Sequence, residues 1–144
     1  MDLKRLKSVD WKILLIGISI PLFFSVLNGL GSLLGMLDQN FLVYVKVDYF
    51  FLVFLAGLFM AFMLQKHVKT AVIHGVLLGL ISSVTIIVLM IVFALATSPE
   101  SSTELLQQLS GPEFRGYLIT NLLFQTISGA LGVTIGIKIN KYID

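Results

Sequence analysis

The sequence predicts an all-α fold, a bundle of four transmembrane helices arranged as two antiparallel hairpins. Three observations carry that prediction. Hydrophobic residues make up 57% of the 144 residues and charged residues only 12%, against roughly 25% charged in an average soluble domain. Mean hydropathy is +0.97, so lipid rather than water is the natural solvent for much of the chain. Four apolar stretches have about the 20-residue length that a helix needs to cross a bilayer core. Their apolar runs are continuous and lack the alternation of a barrel strand, which selects helix over strand.

The whole chain, residues 1–144, reads as a single integral membrane domain. The spans fall at about 12–37, 45–65, 71–97 and 116–137. The first has a positive leader, but its apolar region is about twice the length of a signal peptide's and no A-x-A-like site follows, so it reads as a retained helix. The second includes Tyr49–Leu64 and has two open upstream readings. Phe41, Val43, Val45 and Val47 alternate with other residues, which suits a short extended piece, while an upstream extension of the helix suits them equally. No Asp, Glu, Lys or Arg interrupts 13–37, 71–97 or 116–137.

Orientation follows from the basic residues of the short loops. Lys4, Arg5, Lys7, Lys12, Lys66, Lys69, Lys138 and Lys141 lie on one side, eight in all, against Lys46 and Arg115 on the other. The side with two also carries Asp38, Asp48, Glu100, Glu104 and Glu113. That asymmetry predicts a multi-pass protein of the cell membrane with both termini cytoplasmic. Trp11, Tyr44, Tyr49, Tyr117 and Tyr142 fall where interfacial aromatic anchors are expected.

Between spans three and four the sequence predicts a short amphipathic helix over about 99–110, in the second outer loop. Ser98 is its cap, Pro99 its first helical residue and Glu100 part of its first turn, and Gly111 and Pro112 stop it. Leu105, Leu106 and Leu109 share one face. Closing the hairpin is the expected role of this segment.

Small residues four apart let membrane helices approach closely. Span three carries Ala71, Gly75, Gly79 and Ser83, span four carries Ser128, Gly132 and Gly136, and span one carries Gly31 and Gly35. They are the expected helix-packing residues, either within one bundle or between chains. A second set is polar and intramembrane: Asn28, His74, Asn121, Gln125 and Thr126. Asn28 and Asn121 each lie 16 residues from the inner ends taken as Lys12 and Ile137, which at about 1.5 Å per residue puts them at one height. A hydrogen-bonded cluster joining spans one and four is the expectation, acting as interhelical glue or as a solute site. Pro21, in mid-span, removes one amide donor from helix one.

The absences narrow the function. The chain has no cysteine, which excludes disulfides and thiolate metal sites. His67 and His74 are seven residues apart, about 10.5 Å along one helix and too far to share a metal. With no carboxylate in 13–37, 49–64, 71–97 or 116–137, no His–carboxylate pair and no nucleophile elbow, no catalytic residue, metal or cofactor is expected, and the chain does not read as an enzyme. A net charge of +2 points away from nucleic acid.

The stretch Ala71-Val72-Ile73-His74-Gly75-Val76-Leu77-Leu78-Gly79-Leu80 resembles an A-x-x-H-G-x-x-x-G-like pattern in an uncharacterised family of small, glycine-rich archaeal membrane proteins. The resemblance implies four spans and supplies no activity. The sequence therefore points to a non-catalytic accessory or assembly subunit that acts through helix–helix interactions, with a homo-oligomeric channel or small-solute transporter as the alternative. Its expected partners are the lipid bilayer and either further copies of itself or other membrane subunits.

Overall fold

The computed structural model describes the backbone of residues 9–33, 41–64, 68–97, 107 and 110–143. Four long helices account for nearly all of it: α1 (Trp11–Leu33), α2 (Phe41–Leu64), α3 (Val68–Thr97) and α4 (Pro112–Ile143). No strand occurs among the described residues. α1, α3 and α4 contain stretches long and apolar enough to cross a membrane, and Tyr49–Leu64 of α2 is a shorter apolar helix. The chain is thus a membrane-type helical bundle.

Three of the boundaries that differ from the sequence reading have a local reason. Residues 41–48 continue α2 as helix, so the extended alternative for that segment is wrong. Alternating valines favour a strand only when a neighbouring strand can take their backbone groups, whereas a helix satisfies its own. α4 starts at Pro112 and not near 116. Proline suits the first helical position, where its missing N–H has no helical partner in any case, and the Arg115 N–H closes the first turn on the Gly111 carbonyl at 3.3 Å. α4 also runs past 137 through Lys138 to Ile143, because hydropathy falls there but no helix breaker intervenes. Of the amphipathic segment expected at 99–110, only Gln107 and Ser110 are described, both helical and exposed, and the remainder lies outside the described residues.

Packing follows a simple plan. α4 lies against both α2 and α3, α1 lies against the same two helices, and α2 and α3 touch each other more lightly. α1 and α4 are therefore diagonal partners. Each expected hairpin, α1 with α2 and α3 with α4, packs directly. The start of α1, the end of α2, the start of α3 and the end of α4 meet at one end of the bundle, where Val9, Leu14, Leu64, Ala71 and Ile137 share one core cluster. This is the terminal end, since α1 begins and α4 ends there. A smaller cluster of Tyr49 and Ile86, with Leu52 against it, occupies the other half, the loop end. Outward faces carry large apolar side chains such as Phe23, Phe51, Phe59, Val84, Leu123 and Phe124. When surroundings and core are equally apolar, close fit and hydrogen bonds hold helices together, since burial gives little drive between them.

Candidate functional site

The closest fits of backbone against backbone run along α4. A Cβ built on Gly75 would lie 2.5 Å from the Gly129 carbonyl oxygen and 2.9 Å from the Ala130 Cα. One built on Gly79 would collide with the Gln125 carbonyl oxygen. Both neighbours are backbone, so no side-chain rotation relieves either clash. On the adjacent face of α4, a Cβ on Gly132 would collide with the Phe54 carbonyl, and one on Gly136 would lie 2.5 Å from Ala61 Cβ and 3.0 Å from the Leu58 carbonyl. The Ser128 hydroxyl donates to the Phe50 carbonyl at 2.5 Å along the same face. Gly75, Gly79, Gly132 and Gly136 therefore meet other helices of their own chain. Ala71 and Ser83 are fully buried, Gly31 is half-buried near the loop end of α1, and Gly35 lies outside the described residues. Four-residue spacing does not pick out Gly129, and it pairs Gly57 with Ala61; the structure places both glycines in the same seams. Gly129 faces Gly75 and Gly79, and a Cβ on Gly57 would lie 2.9 Å from the Gly129 carbonyl oxygen. The signal for Gly129 is its place four residues after Gln125 and three before Gly132, which puts glycines on two neighbouring faces of one helix.

The intramembrane polar residues separate into three groups. Nearest the terminal end, His74 is fully buried. Its Nε2 accepts the Asp10 backbone N–H at 2.8 Å. An acceptor nitrogen carries no proton, so the ring is the neutral tautomer with hydrogen on Nδ1, and Nδ1 donates to the Thr70 carbonyl at 2.8 Å. Asp10 itself caps α1. Its carboxylate accepts the Ile13 N–H at 3.4 Å and its carbonyl accepts the Leu14 N–H at 3.0 Å. His74 thus ties the first turn of α1 to α3. An Asp directly before an apolar helical run is the sequence signal for that cap, although nothing in the sequence couples it to a histidine 64 residues away.

Towards the loop end, the expected cluster between spans one and four does not form. The Asn28 amide donates to the Tyr49 hydroxyl of α2 at a long 3.5 Å, and the Asn121 amide donates to the Ser83 hydroxyl of α3 at 3.2 Å. The correction follows from the packing plan, because α1 and α4 are diagonal and each asparagine reaches the neighbour it touches. Tyr49 is buried inside the bundle. Thr126 donates to the Leu122 carbonyl of its own helix at 2.6 Å and joins nothing else by that bond.

The third group is a middle layer of Ser82 of α3 and Gln125 of α4, and Ser25, Ser83 and Ser128 are the other buried serines among the described residues. Gln125, which the sequence singles out, is 2% exposed and Ser82 is 1% exposed. Gln125 Oε1 and Ser82 Oγ have no hydrogen-bond partner among the described residues. No group of three or more His, Cys, Asp or Glu suited to a metal occurs among the described residues.

The chain matches none of the protein-family models, curated proteins or solved structures with which it was compared. The arrangement is of two kinds, close backbone seams that fix helix positions and a sparse set of neutral polar groups inside them. Neutral groups of this sort can position helices or hold a small polar molecule.

Proposed function

We propose that this chain is a non-catalytic subunit of the cell membrane, a compact four-span unit that acts on other membrane chains through its outward apolar helix faces. The observation that carries the reading is the backbone contact of α4 with α2 and α3 at Gly57, Gly75, Gly79, Gly129 and Gly132. These seams fix three helices against one another and leave large side chains of all four helices facing outward. Such a body suits a scaffold or assembly role. The eight-to-two distribution of Lys and Arg supports cytoplasmic termini, so the terminal end would face the cytoplasm. The test is native mass after gentle extraction into lipid nanodiscs. A second chain at fixed stoichiometry is the expected result, and a lone monomer in native membranes would refute the proposal.

One observation favours the transporter alternative: the middle layer, in which buried Gln125 and Ser82 have unpartnered oxygens. Because Gln125 lies inside its own bundle, such a route would pass through one chain and not between copies. Solute flux in liposomes that falls in Gln125→Leu or Asn121→Leu would support this reading. Flux unchanged in both variants would remove these residues from any transport mechanism.

A further inference from the structure

We infer that the middle of the bundle binds one water molecule, held between the Ser82 hydroxyl and the Gln125 side-chain carbonyl. The inference stands whichever reading of function holds.

Two contacts bracket the position. The Asn121 amide bonds Ser83 Oγ at 3.2 Å, and Gly79 lies directly against the Gln125 backbone. α3 and α4 are thus antiparallel, with 79 opposite 125 and 83 opposite 121. Ser82 and Gln125 fall between these contacts, within one helical turn of about 5 Å. Side chains on a helix lean towards its N-terminus, so Gln125 reaches from the Gly79 level towards the Ser82–Ser83 level. Ser82 follows His74 and Leu78 on one face of α3, at four-residue steps. His74 bonds Asp10 at the start of α1, and a Cβ built on Gly17 of α1 would lie 3.3 Å from Leu78 Cδ1, so this face looks into the bundle.

α1 brings a third polar group, a second carbonyl acceptor, close to the same level. Asp10 meets His74, Gly17 meets Leu78 and Gly29 meets Phe93, so α1 and α3 run parallel and residues 17–21 lie beside about 78–85. Pro21 is fully buried and has no N–H, which leaves the Gly17 carbonyl without its usual helical donor. A hydroxyl and two carbonyl oxygens suit a water that accepts from Ser82 and donates to both carbonyls, since buried waters make about three such bonds. A metal cation fits poorly. No carboxylate is buried among the described residues, and hard cations take about six or more oxygen ligands.

The experiment uses the full chain in lipid nanodiscs with ¹⁵N-labelled glutamine. Assignment of the Gln125 side-chain amide rests on the signal lost in Gln125→Met. Magnetisation transfer from a long-lived water to that amide is expected, with loss of the transfer in Ser82→Ala and retention in Ser82→Thr, which keeps the hydroxyl. Absence of transfer in the unmodified chain overturns the inference, and that measurement needs no variant to fold. Transfer that persists unchanged in folded Ser82→Ala also overturns it. So does a direct Ser82–Gln125 contact without water, or a shift of the Gln125 signals on titration with sodium or potassium.

Discussion

Glycine occurs on both α1 and α4, and it does different work on each. On α4, Gly129 and Gly132 face the backbones of α3 and α2. On α1, a Cβ at Gly17 would meet the thioether end of Met60, and one at Gly29 would meet the ring of Phe93. A backbone cannot step aside, whereas methionine is unbranched and re-packs readily. The α4 seams are therefore rigid joints and the α1 contacts are adjustable ones. In a bilayer the distinction matters more than in water, because fit and not burial sets the strength of helix association.

The largest effect is expected at the rigid joints. Gly129→Ala adds one methyl beside the Gly75 carbonyl and the Gly79 nitrogen. Either the α3–α4 seam opens or both helices shift, at a cost of about 2–3 kcal/mol. Gly79→Ala should cost as much, since its Cβ would strike the Gln125 backbone. Unfolding titrations in bicelles measure both. A cost below about 0.5 kcal/mol at both positions would show that the seams are not rigid.

The next largest effect tests the tie that holds α1 at the terminal end. His74→Phe keeps an aromatic ring but removes the acceptor for the Asp10 N–H and the donor to Thr70. The expected loss is about 1–3 kcal/mol. His74→Gln retains an acceptor and should recover part of that loss. Equal losses in the two variants would assign the effect to ring packing and not to the bond with Asp10.

The legibility of the molecule divides along the same line. Local information sufficed for the four helices, since each span is a continuous apolar run and a helix meets its own backbone needs. The small residues at Gly75, Gly79, Gly132 and Gly136 were legible as packing positions because their spacing is a property of one helix. Which helix each would meet was not legible, and neither was the choice between contacts inside the chain and contacts between chains. The cluster expected between Asn28 and Asn121 shows why. Which residues share a layer and which helices are neighbours are both set by the tertiary packing, and α1 and α4 are diagonal. The Asp10–His74 bond was hidden for the same reason, because two residues 64 apart meet only through tertiary structure.

A smaller effect is expected at the polar contacts of the loop end, which lie on opposite sides of the bundle. Asn121→Leu removes a 3.2 Å bond to Ser83, and Asn28→Leu removes a 3.5 Å one to Tyr49. Interhelical bonds of this kind contribute about 0.6 kcal/mol on average, so Asn121→Leu should reach about that value and Asn28→Leu should fall below it. The reverse order would place the tighter bond at Tyr49.

The smallest effects separate rigid from adjustable glycine. Gly17→Ala should cost less than about 1 kcal/mol once Met60 turns away. At Gly116 nothing lies within 4 Å of an added Cβ. There the substitution meets no neighbour and gains only the helix propensity of alanine, so Gly116→Ala should stabilise the chain by about 0.5–1 kcal/mol. The three alanine substitutions together form a graded series on one residue type: harmful at Gly129, slight at Gly17 and beneficial at Gly116. Propensity favours alanine equally at all three, so differences among them report the neighbour each Cβ meets. If Gly17→Ala proved as costly as Gly129→Ala, the Met60 side chain would be as fixed as a backbone, and α1 would be joined to the bundle as firmly as α4.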